Sequence, residues 1–174
     1  MTITELQDLF EYNRWAHENT LRAAAELEPA KYDAVSSTSP LSPRAALQNM
    51  LAEEVAWLSR WEGHSLAEPP DYTECADTNA LLIRWKSLWR RQRGFLESLN
   101  EDDLSRVIGI RLSNGIEAEQ PLGDTMLHVV NHATYLRGQA ATLIAQLGGS
   151  TPDSDYFTYC SVRGPDGTEA NVAP

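Results

Sequence analysis

The chain has 174 residues, of which 42% are hydrophobic, which predicts a single domain whose core folds without a structural metal or disulfide. Its 25 acidic residues outnumber 14 basic ones and give a net charge of −11, so we expect binding neither to nucleic acid nor to an anionic membrane surface. No apolar stretch is long enough to span a bilayer and the N-terminus lacks signal-peptide character, so we expect a cytoplasmic protein.

Two helices are predicted in the first third of the chain. The first begins at Thr2, which stands three residues before Glu5 in capping-box spacing, and its apolar pattern continues to Pro29. The second begins at Ser42, followed by a proline that suits a first helical turn, and ends at Gly63.

Two further helices are predicted after a loop. The third runs from about Thr78 to Leu99, and the fourth from about Gly123 to Leu147, where Gly148 supplies a left-handed C-cap. Four long amphipathic helices predict an all-α fold, a four-helix bundle.

The hydrophobic period changes between the third and fourth helices. Ile108 and Ile110 alternate with small or polar residues, and Ser113-Asn114-Gly115 suits the tight turn of a hairpin. We therefore expect a small β-hairpin in this crossover.

The remaining segments are predicted to be irregular. Residues 30–41 and 68–74 are loops, and residues 163–174 form a flexible C-terminal tail. Residues 1–162 then make up one domain.

The fourth helix carries two histidines at a spacing typical of metal sites. His128 and His132 are four residues apart, which places both imidazoles on one helix face, roughly 6 Å apart and close enough to share a cation. Leu136 is the next position on that face, and a hydrocarbon cannot coordinate a metal.

Several separated sequence blocks identify a family resemblance. They are Tyr12–Ala16, Glu54, Trp57–Gly63, Phe95–Leu96, Pro121–Asp124, His128–His132, Tyr135, Arg137–Gln139, Gln146–Gly148 and Pro152–Tyr156. Through them the chain resembles the DinB-like (DinB/YfiT) superfamily over most of residues 5–160. Its members include thiol-dependent transferases and isomerases and many proteins of unknown activity, and the resemblance also implies a homodimer.

The resemblance implies a divalent metal, commonly zinc or nickel, held by three histidines inside the bundle. Carried over by position, these ligands fall on Asn49 of the second helix and on His132 and Leu136 of the fourth. Of these three positions, only His132 is a histidine. Asn49 carries an amide, which is a weak ligand for these metals, and Leu136 has no ligand atom. The resemblance therefore implies a degenerate metal site.

A shifted site is the alternative. His128 and His132 could bind a cation together with Glu53 if the centre moved one turn, roughly 5 Å, along the fourth helix. Otherwise His128 is a neutral histidine in the core or facing the hairpin, which is the more common use of a buried histidine.

The second helix also has a stripe of small residues. Its members are Ala45, Ala46, Asn49, Ala52, Glu53 and Ala56. Such a stripe either leaves a ligand cavity opposite His132 or lets the helices pack closely, and the sequence favours neither.

Three functions follow as hypotheses. The first is a small-molecule-binding or non-catalytic homodimer with a degenerate metal site, and the second is a thiol transferase or isomerase that uses the shifted site at His128, His132 and Glu53. The third is an interaction protein whose pocket is filled by its own side chains. We assign either a structural salt bridge or a helix–helix contact to Arg137. We assign no role to His17, because its surroundings in the sequence are polar.

Overall fold

Four long helices dominate the computed structural model, which describes residues 1–36, 39–64, 70–111 and 117–163. In chain order the helices are α1 (Ile3–Ala25), α2 (Pro29–Tyr32), α3 (Pro43–Trp61), α4 (Thr78–Glu97), α5 (Leu122–Gln146) and α6 (Tyr156–Val162), with a 3-10 helix at Glu101–Ser105. The all-α four-helix bundle is confirmed, and α1, α3, α4 and α5 are its four members. Within the described ranges, no helix is both long and apolar enough to cross a membrane.

The predicted helix starts are confirmed by their caps. The Glu5 amide donates to the Thr2 hydroxyl at 3.2 Å, and the Thr2 amide donates to the Glu5 carboxylate at 2.7 Å. At the start of α3 the Ala45 amide donates to the Ser42 hydroxyl at 3.2 Å. The first amide groups of a helix have no carbonyl acceptor in a preceding turn, and these hydrogen bonds supply one.

The end of α5 depends on two glycines. Gly148 has a φ of +82°, the left-handed conformation expected of a glycine after a helix. Gly149 then lies so close to Leu27 and Ile144 that an added Cβ would approach their side chains to 2.8 and 2.6 Å. The chain can turn away here only because neither residue has a side chain.

The predicted hairpin is confirmed in the crossover before α5. Strand β1 (Val107–Arg111) pairs antiparallel with β2 (Glu117–Pro121), and Ile110 stands opposite Ala118. The predicted turn at Ser113-Asn114-Gly115 lies outside the described residues, as does the predicted tail beyond residue 163.

Two short helices depart from the predictions. The loop predicted at residues 30–41 begins with the last three residues of α2, because a proline at the first helical position favours a helical turn. No helix was predicted at α6, where Asp155 accepts hydrogen bonds from the first-turn amides and Tyr159 packs against Tyr12 and Trp15 of α1. A seven-residue segment has too few turns to show periodicity.

The packing order of the bundle determines which side chains meet in its interior. Both α1 and α3 pack against α4 and α5. Trp85 and Trp61 are fully or almost fully buried, at 0% and 3% exposure, and Trp61 donates a hydrogen bond to Thr125 at 3.0 Å. The interior surrounded by the four helices also contains polar side chains.

Candidate functional site

The three positions implied as metal ligands do not face a common space. Asn49 is exposed on α3, His132 is half-buried on α5, and Leu136 is a buried member of the hydrophobic core. His132 and Leu136 line one small cavity, but Asn49 is not part of its lining.

The space beside His132 is almost completely filled. A cavity of about 10 Å³ remains between α3 and α5, enough for one water molecule. Its lining residues are Met50, Glu53, Glu54, Trp57, Val129, His132, Ala133 and Leu136. The small residues of α3 therefore leave no ligand-sized cavity here, because larger neighbours occupy the space.

His128 is exposed on α5, so the expectation of a histidine in the core is wrong. Its ring is stacked at 5.5 Å from the ring of His132, which in turn lies 6.0 Å from that of Tyr135. Trp57 of α3 stands 5.3 Å from His128. These four rings, Trp57, His128, His132 and Tyr135, form a surface feature that we call the ring ladder.

The rings of His128 and His132 lie nearly parallel, at 10° to each other. Two imidazoles alone are too few to hold zinc or nickel, which take three or four protein ligands. Over the four described ranges, no three histidine, cysteine or acidic side chains are grouped as metal ligands would be. Glu53 is half-buried near His128 and acts on it only through its charge.

The pKa of His128 is lowered from its ordinary value. Partial burial is the main cause, the neighbouring His132 adds to it, and the charge of Glu53 opposes it. The His128 ring is therefore favoured in its neutral form near neutral pH.

Arg137 occupies the centre of the bundle and is 1% exposed. Its guanidinium donates to the side-chain oxygen of Asn13, to the Thr134 hydroxyl at 2.8 Å and to the Tyr12 hydroxyl at 3.2 Å. The guanidinium carbon also lies 5.3 Å from the centre of the Tyr12 ring. The expected helix contact is confirmed, and it joins α1 to α5.

Glu54 extends the same network to the other two helices. One carboxyl oxygen accepts from the Asn13 amide at 2.8 Å, and the other accepts from the Gln92 amide at 2.9 Å. Since Glu54 belongs to α3 and Gln92 to α4, polar side chains from all four helices are connected. We call Asn13, His17, Glu54, Gln92 and Arg137 the interior cluster.

His17 belongs to this cluster, contrary to the expectation that it has no role in polar surroundings. It is 1% exposed, its Nδ1 lies 2.5 Å from the Asn13 carbonyl oxygen, and its ring centre is 4.3 Å from that of Trp85. The helical pattern of α1 gave a usable signal, because His17 stands one turn after Asn13 on the buried face.

The ionisable members of the interior cluster have shifted pKa values. Burial raises the pKa of Glu54, although hydrogen bonds and the charge of Arg137 oppose the shift. Burial lowers the pKa of His17 well below its usual range, and the charge of Arg137 lowers it further. Burial also lowers the pKa of Arg137. Burial thus disfavours the charged form of each group.

A larger groove lies on another side of the bundle, between α1 and α4. Its volume is about 230 Å³. The lining residues are Gln7, Phe10, Glu11, Arg14, Trp89, Gln92, Arg93, Leu96 and Glu97. Glu11 accepts from Arg14 at 2.8 Å and from Arg93 at 2.7 Å, and Arg14 also pairs with Glu18 at 3.3 Å, so both arginines at this groove are already engaged in ion pairs.

The outward faces of α4 and α5 differ in charge. On α4 the exposed residues include Arg84, Lys86, Arg90, Arg91, Arg93 and Glu97. On α5, all of which lies in the described part of the chain, none of the exposed residues after Asp124 is Asp, Glu, Lys or Arg. Instead this outward face, which we call the α5 face, presents Leu127, His128, Asn131, Tyr135, Gly138 and Thr142.

Sequence comparison finds relatives over nearly the whole chain. The model of the DinB family matches residues 1–167. Protein DinB of Bacillus subtilis is 24% identical over 159 residues, a match that covers 87% of this chain and 91% of that protein.

Solved structures show the same fold. A DinB-like protein from Bacillus cereus superimposes with a TM-score of 0.67 at 17% identity, over 87% of this chain and 97% of that one. A conserved protein from Enterococcus faecalis superimposes with a TM-score of 0.60 at 18% identity, over 84% and 98% of the two chains.

Proposed function

This chain belongs to the DinB family, and on that premise we propose that it is a non-catalytic, metal-free homodimer that associates through the α5 face. The observation that carries the proposal is the absence of Asp, Glu, Lys and Arg from the exposed residues of α5 after Asp124, a helix that is described in full. Interface centres are depleted of charge and enriched in aromatic residues, as this face is.

Charge supports a second copy of the same chain as the partner. Two molecules of net charge −11 repel each other unless their contact surfaces avoid acidic groups. Beside the ring ladder, Arg60 lies 4.9 Å from the Trp57 ring and the charge of Glu53 acts on His128, so charges of both signs border this face.

The donor set supports the metal-free part of the proposal. Leu136 is a buried hydrocarbon side chain, Asn49 is exposed, and the cavity beside His132 has a volume of only about 10 Å³. These residues offer one imidazole where a zinc or nickel site needs three or four donors. The thiol transferase alternative, which depends on a shifted site, has no converging ligands to support it.

Sedimentation equilibrium tests the interface. We expect a dimer for the unchanged chain and a monomer for Tyr135→Glu, because a two-fold contact would bring two added carboxylates together. Ile83→Glu is the matched control, since Ile83 is 69% exposed on α4 and Tyr135 is 61% exposed on α5. A monomeric unchanged chain, or equal effects of both substitutions, would contradict the proposed interface.

Elemental analysis tests the metal-free assignment separately. The protein is purified without an affinity tag, dialysed against Zn²⁺ or Ni²⁺ and freed of loosely bound metal. We expect no stoichiometric metal. About one metal per chain that is lost in His132→Ala would overturn the assignment and support the shifted site.

Small-molecule binding is a second candidate, and the groove between α1 and α4 supports it. Its volume of about 230 Å³ is near the lower end of ligand pockets, and Phe10, Leu96 and Trp89 provide an apolar surface. Trp89 fluorescence, compared with that of Trp89→Phe, would report occupancy during titration with a panel of small aromatic acids. No response over the whole panel would count against this candidate.

A further inference from the structure

His17 and Glu54 face each other inside the bundle. Nε2 of His17 lies 3.3 Å from Oε1 of Glu54, and their side chains are 1% and 4% exposed. Nε2 has no hydrogen-bond donor or acceptor assigned to it among the described residues. A buried nitrogen and a buried oxygen this close normally share a hydrogen, so the atom that carries it has to be identified.

The other nitrogen of His17 determines the form of the ring. Nδ1 lies 2.5 Å from the carbonyl oxygen of Asn13, which can only accept, and 3.3 Å from a guanidinium nitrogen of Arg137, which can only donate. The shorter contact places a hydrogen on Nδ1, and the Arg137 cation beside the ring disfavours a second hydrogen on Nε2, because two positive charges would then lie together. In a neutral imidazole with hydrogen on Nδ1, Nε2 presents a lone pair. That lone pair points towards Glu54.

The orientation of the Asn13 amide is determined by its neighbours. Arg137 can only donate, so the Asn13 atom that it contacts is the oxygen. The Asn13 nitrogen then donates to Glu54 Oε1 at 2.8 Å, and Gln92 donates to Oε2 at 2.9 Å. If Glu54 were ionised, a further lone pair of Oε1 would point at the lone pair on Nε2 of His17, and the two would repel each other.

We propose that Glu54 is held as a carboxylic acid whose O–H donates to Nε2 of a neutral His17, so that the bundle interior contains a proton-binding site. Oε1 then donates to His17 and accepts from Asn13, and Oε2 accepts from Gln92. Every polar atom between His17 and Glu54 has a partner. In neutral solution the chain takes up this proton from water as it folds.

The surroundings from each helix are consistent with a neutral pair. Tyr12 and Asn13 lie on the α1 side, Gln92 and Trp85 on α4, and the cation of Arg137 on α5. On the α3 and α5 side, Glu53 and His132 line the small cavity that also touches Glu54. Arg137 favours an ionised Glu54, but it is linked to Glu54 through Asn13 and His17, and its charge, 3.3 Å from Nδ1 of His17, also opposes a cationic His17.

Infrared difference spectroscopy tests the proposal. At neutral pH exposed carboxyl groups are ionised, so a C=O band of a protonated carboxyl should be specific to Glu54. We expect this band in the unchanged chain and its loss in Glu54→Gln. Glu53→Gln is the matched control, because Glu53 is half-buried one position earlier, and it should retain the band. Equal spectra for the unchanged chain and Glu54→Gln would overturn the proposal.

Nitrogen NMR of His17 provides a test that needs no variant of Glu54. A neutral ring with hydrogen on Nδ1 gives two different nitrogen resonances, whereas an imidazolium has hydrogen on both nitrogens. The proposal requires the neutral ring at neutral pH, and His17→Asn identifies the resonances by their loss. An imidazolium signal from His17 would place the proton on the ring and overturn the proposal.

Discussion

His17 Nε2 lies 3.3 Å from Glu54 Oε1 in the interior of the bundle, where both side chains are almost completely shielded from water. The two residues belong to α1 and α3, which do not lie side by side but each contact α4 and α5. A polar side chain from each of these two helices therefore reaches the centre of the bundle, and we expect the stability of the fold to depend on the protonation of this pair.

The first prediction concerns the pH dependence of stability. Burial raises the pKa of Glu54 above its ordinary 4.5. The contribution of Glu54 to the free energy of unfolding is therefore complete below pH 4.5 and is lost as the pH rises through the folded-state pKa. Burial lowers the pKa of His17 well below 6.5. The contribution of His17 to the free energy of unfolding is therefore complete above pH 6.5 and is lost as the pH falls through the folded-state pKa. Together the pair should stabilise the fold most between pH 4.5 and 6.5.

Urea unfolding from about pH 4 to about pH 9 measures this dependence. In Glu54→Gln the free energy of unfolding should fall less than in the unchanged chain as the pH is raised. In His17→Asn it should fall less than in the unchanged chain as the pH is lowered. Parallel stability curves for the unchanged chain and both variants would contradict the prediction.

The second prediction concerns Arg137. Arg137→Lys retains the positive charge but cannot reach Asn13, Thr134 and Tyr12 together, because an ammonium lacks the planar fork of the guanidinium. We expect the free energy of unfolding to fall by about 2–4 kcal/mol. Arg90→Lys, at an exposed position on α4, is the control and should change it by less than about 0.5 kcal/mol. Similar losses in both variants would show that the interior bonds contribute little.

The third prediction compares two glycines. Gly149→Ala would place a Cβ 2.6 Å from Ile144 and 2.8 Å from Leu27, both of which are packed in the core. We expect a loss of about 1–3 kcal/mol in thermal or urea unfolding. Gly94→Ala meets no atom within 4 Å at an exposed position of α4 and should stabilise that helix by up to about 1 kcal/mol. Effects of the same sign would contradict the packing at Gly149.

The fourth prediction concerns the degenerate metal site. The double change Asn49→His, Leu136→His supplies the two missing imidazoles, but Asn49 is exposed and does not line the small cavity that His132 and Leu136 share. We therefore expect no stoichiometric Zn²⁺ or Ni²⁺ binding by calorimetry, either for the double variant or for Leu136→His alone. Stoichiometric binding by the double variant would show that α3 and α5 can bring the three positions together.

Local chemistry allowed the architecture to be predicted. The capping box at Thr2, the Ser42 cap and the glycine at 148 are short-range signals, and they located the ends of the long helices to within a few residues. The change of hydrophobic period located the hairpin in the crossover. The seven-residue α6 has no comparable signal, because its position depends on contacts of Tyr159 with α1.

The sequence by itself determined the bundle, its family and the chemical defect at the implied metal ligands, since each depends on the identity of single residues or on spacing along one helix. Tertiary structure decided which polar residues meet. His17, Glu54 and Arg137 are separated in the sequence, and only the packing of α1 and α3 against α4 and α5 brings them together. It also decided that His128 faces outward and that the space beside His132 is filled, because burial depends on neighbours that helical spacing does not specify.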